Sequence, residues 1–278
     1  MRLVTFMTDG TEHVGVLSGE EVIDLTAAGV AASMRQLIAG GAESLARARS
    51  AKAPRVALAS VRLQTPLPDP GKILCSGVNY KSHAAEGSGH VPDEPFFFAK
   101  VRSSVAGPED EIGAPPMTKQ IDYEVEFAVV VGKRLSRATP DEVMPAMFGY
   151  TMLNDISARD VQFKDNQITL GKNFERFAPI GPCIVTADEM TRPDHVRITT
   201  RLNGKTMQDG NTADWLFPLP QFLSFLSQVM PLEPGDIVST GTPAGVGWGQ
   251  KPQVFMKPGD VIEIEGEGIG ILRNFIVA

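Results

Sequence analysis

Ile121-Asp122-Tyr123-Glu124-Val125-Glu126-Phe127-Ala128-Val129-Val130-Val131-Gly132 reads as a β-strand. β-branched and aromatic residues dominate it, a glycine closes it, and its second half is apolar at every position, as in a strand buried on both faces. Side chains alternate along a strand, so Asp122, Glu124 and Glu126 share one face, with neighbours roughly 7 Å apart. Carboxylates entering a buried strand from one side are costly unless something positive meets them. No lysine or arginine lies between Gln120 and Gly132. Either distant basic residues compensate or a cation does. The pattern favours a cation, set against the bland alternative that an E-x-E pair marks a solvated face.

A third oxygen ligand lies downstream. Met147-Phe148-Gly149-Tyr150-Thr151-Met152-Leu153 reads as a second buried strand that runs into Asn154-Asp155. Asp155 therefore falls at a strand's C-terminal end. Ser157 with Asp160 has the pattern of a helix start, a serine cap with an acid three residues on. Glu124, Glu126 and Asp155 form an all-oxygen donor set, which suits Mg²⁺, Mn²⁺ or Ca²⁺ rather than Zn²⁺.

The chain is 278 residues long, 42% hydrophobic and 21% charged, with a formal net charge of −7. That balance argues against nucleic acid or an anionic membrane as partner. Cys75 and Cys183 are isolated, so neither a disulfide framework nor a cysteine-rich metal site is expected, and both read as buried thiols. No apolar run approaches the roughly 18 residues of a membrane span, and the first residues lack the apolar core of a signal peptide. The expected compartment is cytoplasmic.

Residues 1–65 read as a small separate module. Arg2–Phe6 and His13–Leu17 are strands joined at Asp9-Gly10, with Glu21–Leu25 as a third. Ser33 and Gln36 open a short helix that Gly40-Gly41 ends, and a second helix runs from Ala42 to Ala51. The Pro-rich stretch 65–71 marks the boundary, leaving 66–278 as the catalytic domain. There, Gly77-Val78-Asn79-Tyr80 precedes His83 and Glu86, three residues apart and so neighbours on one helical turn. A carboxylate beside an imidazole raises its basicity and fixes its orientation, which suits a general base. The glycine-bearing flank 87–93 fits a mobile lid, with His90 on its surface. Lys100 ends an apolar strand and is a candidate for holding an anionic substrate, whereas Arg102 reads as solvent-exposed. Lys172 is placed to stabilise negative charge developing on oxygen, or to compensate the carboxylates. Thr139-Pro140-Asp141-Glu142 opens a helix. Asn203-Gly204 signals a type I′ hairpin. Leu219, Phe222, Leu223, Leu226 and Val229 make one apolar helical face. Pro-Gly-Asp turns at 234–236 and 258–260 each launch a strand. His13 and His195 read as surface residues.

Taken together, these pieces resemble the fumarylacetoacetate hydrolase family in its shorter prokaryotic-type form. The resemblance is carried by Gly77-Val78-Asn79-Tyr80 with His83 and Glu86, Phe98-Ala99-Lys100, Asp122-Tyr123-Glu124-Val125-Glu126, Asn154-Asp155 through Gln162, Gly171-Lys172-Asn173-Phe174, Gly181-Pro182, Asn203-Gly204, Thr240 through Gly247 and Pro258-Gly259-Asp260, spanning about residues 72 to 278. It implies that Glu124, Glu126 and Asp155 bind a divalent metal, with Mg²⁺ the first expectation, and that His83 and Glu86 form a dyad on a lid. It implies substrate contacts from Gln162 and Thr242, a small 2-oxo acid as partner, and a homodimer. The chain departs from the family at Val101-Arg102, Ile168, Asn173 and Glu175.

The implied fold is α+β and mostly β, a mixed β-sandwich roll with a few helices and a small N-terminal α/β module. The implied activity is metal-dependent C–C hydrolysis of an acylpyruvate-type 2,4-dioxo acid, with His83 and Glu86 activating water and Lys172 steadying the oxyanion. Two alternatives share the site: decarboxylation of oxaloacetate or isomerisation of a 2-hydroxy-dienedioate, and a non-catalytic oxo-acid binder.

Overall fold

The computed structural model describes residues 1–87, 91–164 and 168–278. His90 and the centre of the expected lid flank, residues 88–90, lie outside the described residues, as do residues 165–167 of the stretch before Lys172.

Strands dominate, arranged in two main sheets that pack face to face and a third, two-stranded one formed by Ile121–Asp122 and Ser157–Ala158. The larger sheet runs from Arg55–Ala57 through Glu21–Asp24, Thr11–Ser18, Arg2–Thr8, Ala178–Thr186, Met147–Asn154, Val125–Val131, Ile237–Ser239 and Ile73–Ser76 to Phe97–Lys100. Neighbours along this path are antiparallel except Ile237–Ser239 with Ile73–Ser76, which pair in parallel. The smaller sheet is ordered Lys205–Asn211, Arg197–Leu202, Val261–Gly266, Gly270–Val277 and Glu111–Gly113. Ile198, Ile264 and Leu272 of the small sheet share a buried cluster with Phe127, Val129 and Met152 of the large one. This is the mixed, mostly β sandwich that the resemblance implies.

Residues 1–65 do not stand apart from this sheet. Arg2 and Leu3 pair with Val185 and Ile184, and the first ammonium donates to Thr186. The sheet crosses the boundary expected near residue 65. The Asp9-Gly10 and Asn203-Gly204 turns close their hairpins with both residues of each pair at positive φ, as a type I′ turn requires. Ser33 caps the helix Met34–Ala39, accepting from Gln36 N, and a second helix follows over Gly41–Ser50.

The chain around the carboxylates is less regular than its pattern suggests. The expected continuous strand breaks at Tyr123–Glu124. Ile121–Asp122 pairs with Ser157–Ala158, whereas Val125–Val131 pairs with Met147–Asn154 and Ile237–Ser239. Ser157 is therefore a strand residue, not a helix cap. Its hydroxyl donates to Asp155 O, and the helix Arg159–Gln162 starts from Ala158 without a side-chain cap. Asp160 instead accepts from Thr118 Oγ1 and Lys119 N.

Leu219–Val229 forms the expected helix and buries Leu219, Phe222, Leu223 and Leu226 on the large sheet. Val229 was expected on that face but is 59% exposed. The last turn packs through Ser227 instead, whose hydroxyl accepts from Ala138 N. Thr139 and Glu142 form a reciprocal capping box on Pro140–Val143. Both Pro-Gly-Asp turns lead into strands, Ile237–Ser239 and Val261–Gly266.

Candidate active site

Two neighbouring strand ends bring the carboxylates together. Glu124 and Glu126 flank the start of Val125–Val131, and the backbone bond from Asp155 N to Glu124 O (3.0 Å) ties the end of the neighbouring strand to them. One carboxylate oxygen each from Glu124, Glu126 and Asp155 lies within 4.8 Å of the others, and all three residues are buried.

Distant basic residues do meet them. Lys172 Nζ donates to Glu124 Oε2 (2.7 Å) and Asp155 Oδ2 (2.8 Å). Lys100 Nζ donates to Asp155 Oδ1 (2.6 Å). Arg159 spans Asp122 Oδ2 (2.8 Å, from Nε) and Glu124 Oε1 (2.6 Å, from Nη2). Asp122 turns away from the other two acids, accepting from Gly247 N, Trp248 N and Tyr123 N as well as Arg159. It is a structural clamp, consistent with its exclusion from the ligand set.

With Asp122 and Arg159 paired to each other, Glu124, Glu126 and Asp155 face two ammoniums. Among the described residues Glu126 receives only neutral donors, Ser239 Oγ and Gly241 N. Burial pushes its carboxyl up, reinforced by the adjacent Asp155 and Glu124. Burial would push Glu124 up too, but Arg159 and Lys172 outweigh it and hold that carboxyl well below the usual range. Burial likewise works against the Lys172 ammonium, and Asp155 and Glu124 more than restore it. With all three carboxylates ionised the cluster is one positive charge short, and with hard oxygen donors converging at its centre it fits a divalent cation.

A cavity of about 360 Å³ opens over the cluster. Glu124, Lys172, Arg159 and Gln162 line it together with His83 and Glu86. The helix Lys81–Glu86 is pinned across the site. Ser82 N donates to Asp214 Oδ2, and Glu86 accepts from Gly245 N (2.9 Å). His83 Nδ1 lies 3.2 Å from Glu86 Oε2, and among the described residues Nε2 has no partner, which leaves it the ring nitrogen for proton exchange.

The remaining candidates sit at different depths. Lys100 lies behind Asp155 rather than on the cavity wall, its Nζ also donating to Ile156 O. Thr242 is buried, and its hydroxyl accepts from Gln208 Nε2 (2.8 Å). Gln162 faces the cavity beside Arg159. A Cβ on Gly171 would stand 2.6 Å from Gln162 Cβ, so glycine there lets the Ile168–Lys172 helix approach closely enough to deliver Lys172. Arg102 is exposed. Arg159 carries no assignment from sequence, although it sits within the matched Asn154–Gln162 motif.

The architecture and site together define a mixed β fold built around a buried three-carboxylate cluster that could hold a metal ion. A family model described as fumarylacetoacetate (FAA) hydrolase C-terminal matches residues 72–277, and the chain belongs to that family. Over its full length it is 39% identical to a rat protein named oxaloacetate tautomerase Fahd2a, mitochondrial, of which it covers 92%. Among solved structures, fumarylacetoacetate hydrolase from psychrophilic Exiguobacterium antarcticum superposes with a TM-score of 0.89 at 37% identity, covering all of this chain and 99% of the other. A 5-carboxymethyl-2-hydroxymuconate delta-isomerase from Mycobacterium smegmatis superposes at 0.82 and 30% identity, covering 100% and 98%. The family's members are enzymes acting on small molecules. Among the described residues, no helix is long and apolar enough to cross a membrane.

Proposed function

We propose that the protein is a metal-dependent tautomerase or isomerase of enolisable 2-oxo acids, with oxaloacetate the first compound to test. This replaces C–C hydrolysis, the principal expectation from sequence, by the alternative built on the same site. The observation that carries it is that His83, oriented by Glu86, lines the same cavity as Glu124 of the Glu124–Glu126–Asp155 cluster. Support comes also from the full-length similarity to a protein named as an oxaloacetate tautomerase.

A divalent cation, Mg²⁺ in our reading, held by Glu124, Glu126 and Asp155 supplies Lewis-acid polarisation of the 2-oxo acid. Gln162 helps orient the substrate's carboxylate end, and Thr242 and Lys100 fix the geometry behind it. His83 Nε2 takes the proton from C3, while Glu86 steadies the imidazolium that results. The same nitrogen returns the proton to the 2-oxo oxygen, giving the enol. No atoms are gained or lost, and the reverse path converts enol to keto. Lys172 stabilises the negative charge that develops on oxygen meanwhile.

The test follows enol-to-keto relaxation of oxaloacetate by ultraviolet absorbance, with Mg²⁺ and with EDTA. Acceleration only with metal, lost in His83→Ala, is expected. Hydrolysis remains the second reading, because the same dyad can activate water. Acetylpyruvate monitored by NMR separates the two, since acetate and pyruvate appear only if the C–C bond is cut. The homodimer is part of the proposal and is checked by light scattering.

A further inference from the structure

Part of the cavity lining is aromatic, and this bears on the substrate. Phe163 is 49% exposed and Trp248 39% exposed, yet their rings pack together, with centroids 5.4 Å apart and planes tilted by 51°. Phe96, Ile168 and Val246 continue the wall around them. The positively charged side chains on the described part of the wall, Arg159 and Lys172, are already engaged by Asp122, Glu124 and Asp155.

The backbone that carries the pair is anchored to the carboxylate cluster. Trp248 N donates to Asp122 Oδ2 (3.0 Å), and Asp122 is clamped by Arg159, which also holds Glu124. Phe163 N donates to Arg159 O at the end of the same short helix. One buried ion pair therefore ties the backbone beneath both aromatic rings to the carboxylate cluster. Two large, partly exposed rings preorganised beside a reactive centre can accept a third ring edge-to-face or stacked.

Resting on the proposed 2-oxo acid reading, we infer that Phe163 and Trp248 form a specificity subsite for an apolar, preferably aromatic, substituent at C3 of the substrate. The carboxylate and 2-oxo group lie at the Glu124 end, and the substituent lies between the Phe163–Trp248 pair and Phe96. Phenylpyruvate is then the better ligand, and pyruvate, which has the same head and no substituent, the weaker one.

The test is isothermal titration of the Mg²⁺-loaded protein with phenylpyruvate and with pyruvate, in the wild type, Trp248→Ala, Phe163→Ala and Trp248→Phe. Phenylpyruvate is expected to bind at least tenfold tighter than pyruvate, equivalent to about 1.4 kcal/mol. Either alanine variant should shrink that ratio roughly tenfold, and Trp248→Phe should restore most of it. Quenching of Trp248 fluorescence by phenylpyruvate, with Trp215 buried, provides a second readout. Equal affinities in the wild type, or a ratio unchanged in both alanine variants, would overturn the inference. Because these are binding measurements, an absence of turnover would count against tautomerisation without touching the subsite. Failure of both ligands to bind would sink the subsite together with the 2-oxo acid reading.

Discussion

Gly249→Ala is a small change with a directed consequence. An alanine Cβ at this position would stand 2.4 Å from both Cδ and Oε1 of Glu86. Ordinary contact begins near 3.4 Å, so the carboxyl must retreat by about 1 Å. Gly249 does not have positive φ, so alanine introduces no backbone strain. What yields is the far end of a flexible side chain, and the fold should scarcely register it. That far end, however, carries the bonds to Gly245 N (2.9 Å) and His83 Nδ1 (3.2 Å), and a 1 Å retreat breaks one or both. A hydrogen bond to a charged group contributes about 1.5–3 kcal/mol, which corresponds to roughly 10–100-fold in rate if expressed in the transition state. The expected result is a fall of that size in kcat, with Mg²⁺ affinity and Tm close to wild type. Steady-state kinetics on oxaloacetate, calorimetric metal titration and a thermal melt measure the three quantities. Undiminished kcat would refute the role assigned to Glu86. A large drop in Tm would refute the claim that only the carboxyl end moves.

Other substitutions probe the charge balance and the scaffold. Lys172→Met removes the ammonium shared by Glu124 and Asp155 and should destabilise the metal-free protein by about 3–5 kcal/mol, a loss that Mg²⁺ partly reverses in denaturant titrations. Glu126→Gln takes one like charge out of the buried cluster. Its Tm in EDTA should equal or exceed wild type, while calorimetry should show metal affinity reduced by about two orders of magnitude. Thr139→Ala removes one half of the capping box with Glu142 and should cost about 1 kcal/mol, a Tm shift of about 2–4 °C by calorimetry for a chain of this size, without effect on activity.

Much of the scaffold was legible because its signals are local. Asp9-Gly10 and Asn203-Gly204 adopt positive φ in their hairpins, and the capping residues Thr139 and Ser33 cap the helices expected of them. The convergence of Glu124, Glu126 and Asp155 was legible as a donor set, because carboxylates on a strand buried by Val129–Val131 demand compensation. The break at Tyr123–Glu124 was not. Asp122 is drawn out of the strand by amides of residues 247–248 and by Arg159, partners that no periodicity can reveal. Ser157 fails as a cap for the same reason, since pairing with Asp122 holds it extended. Arg159 went unassigned although its motif was matched, and its buried position between two carboxylates was the missing information. Lys100 illustrates the converse. Read as a substrate anchor, it lies behind Asp155, where it neutralises charge.

Metal-dependent proton transfer at C3 of a 2-oxo acid is the central step of the proposed activity. Its most direct test is deuterium exchange at that carbon, followed by ¹H NMR in D₂O with pyruvate or phenylpyruvate, in Mg²⁺ and in EDTA, for the wild type and His83→Ala. Enzyme-dependent exchange that needs Mg²⁺ and His83 is the predicted result. Exchange at the uncatalysed rate in the Mg²⁺-loaded wild type, or exchange that persists in EDTA, would contradict it.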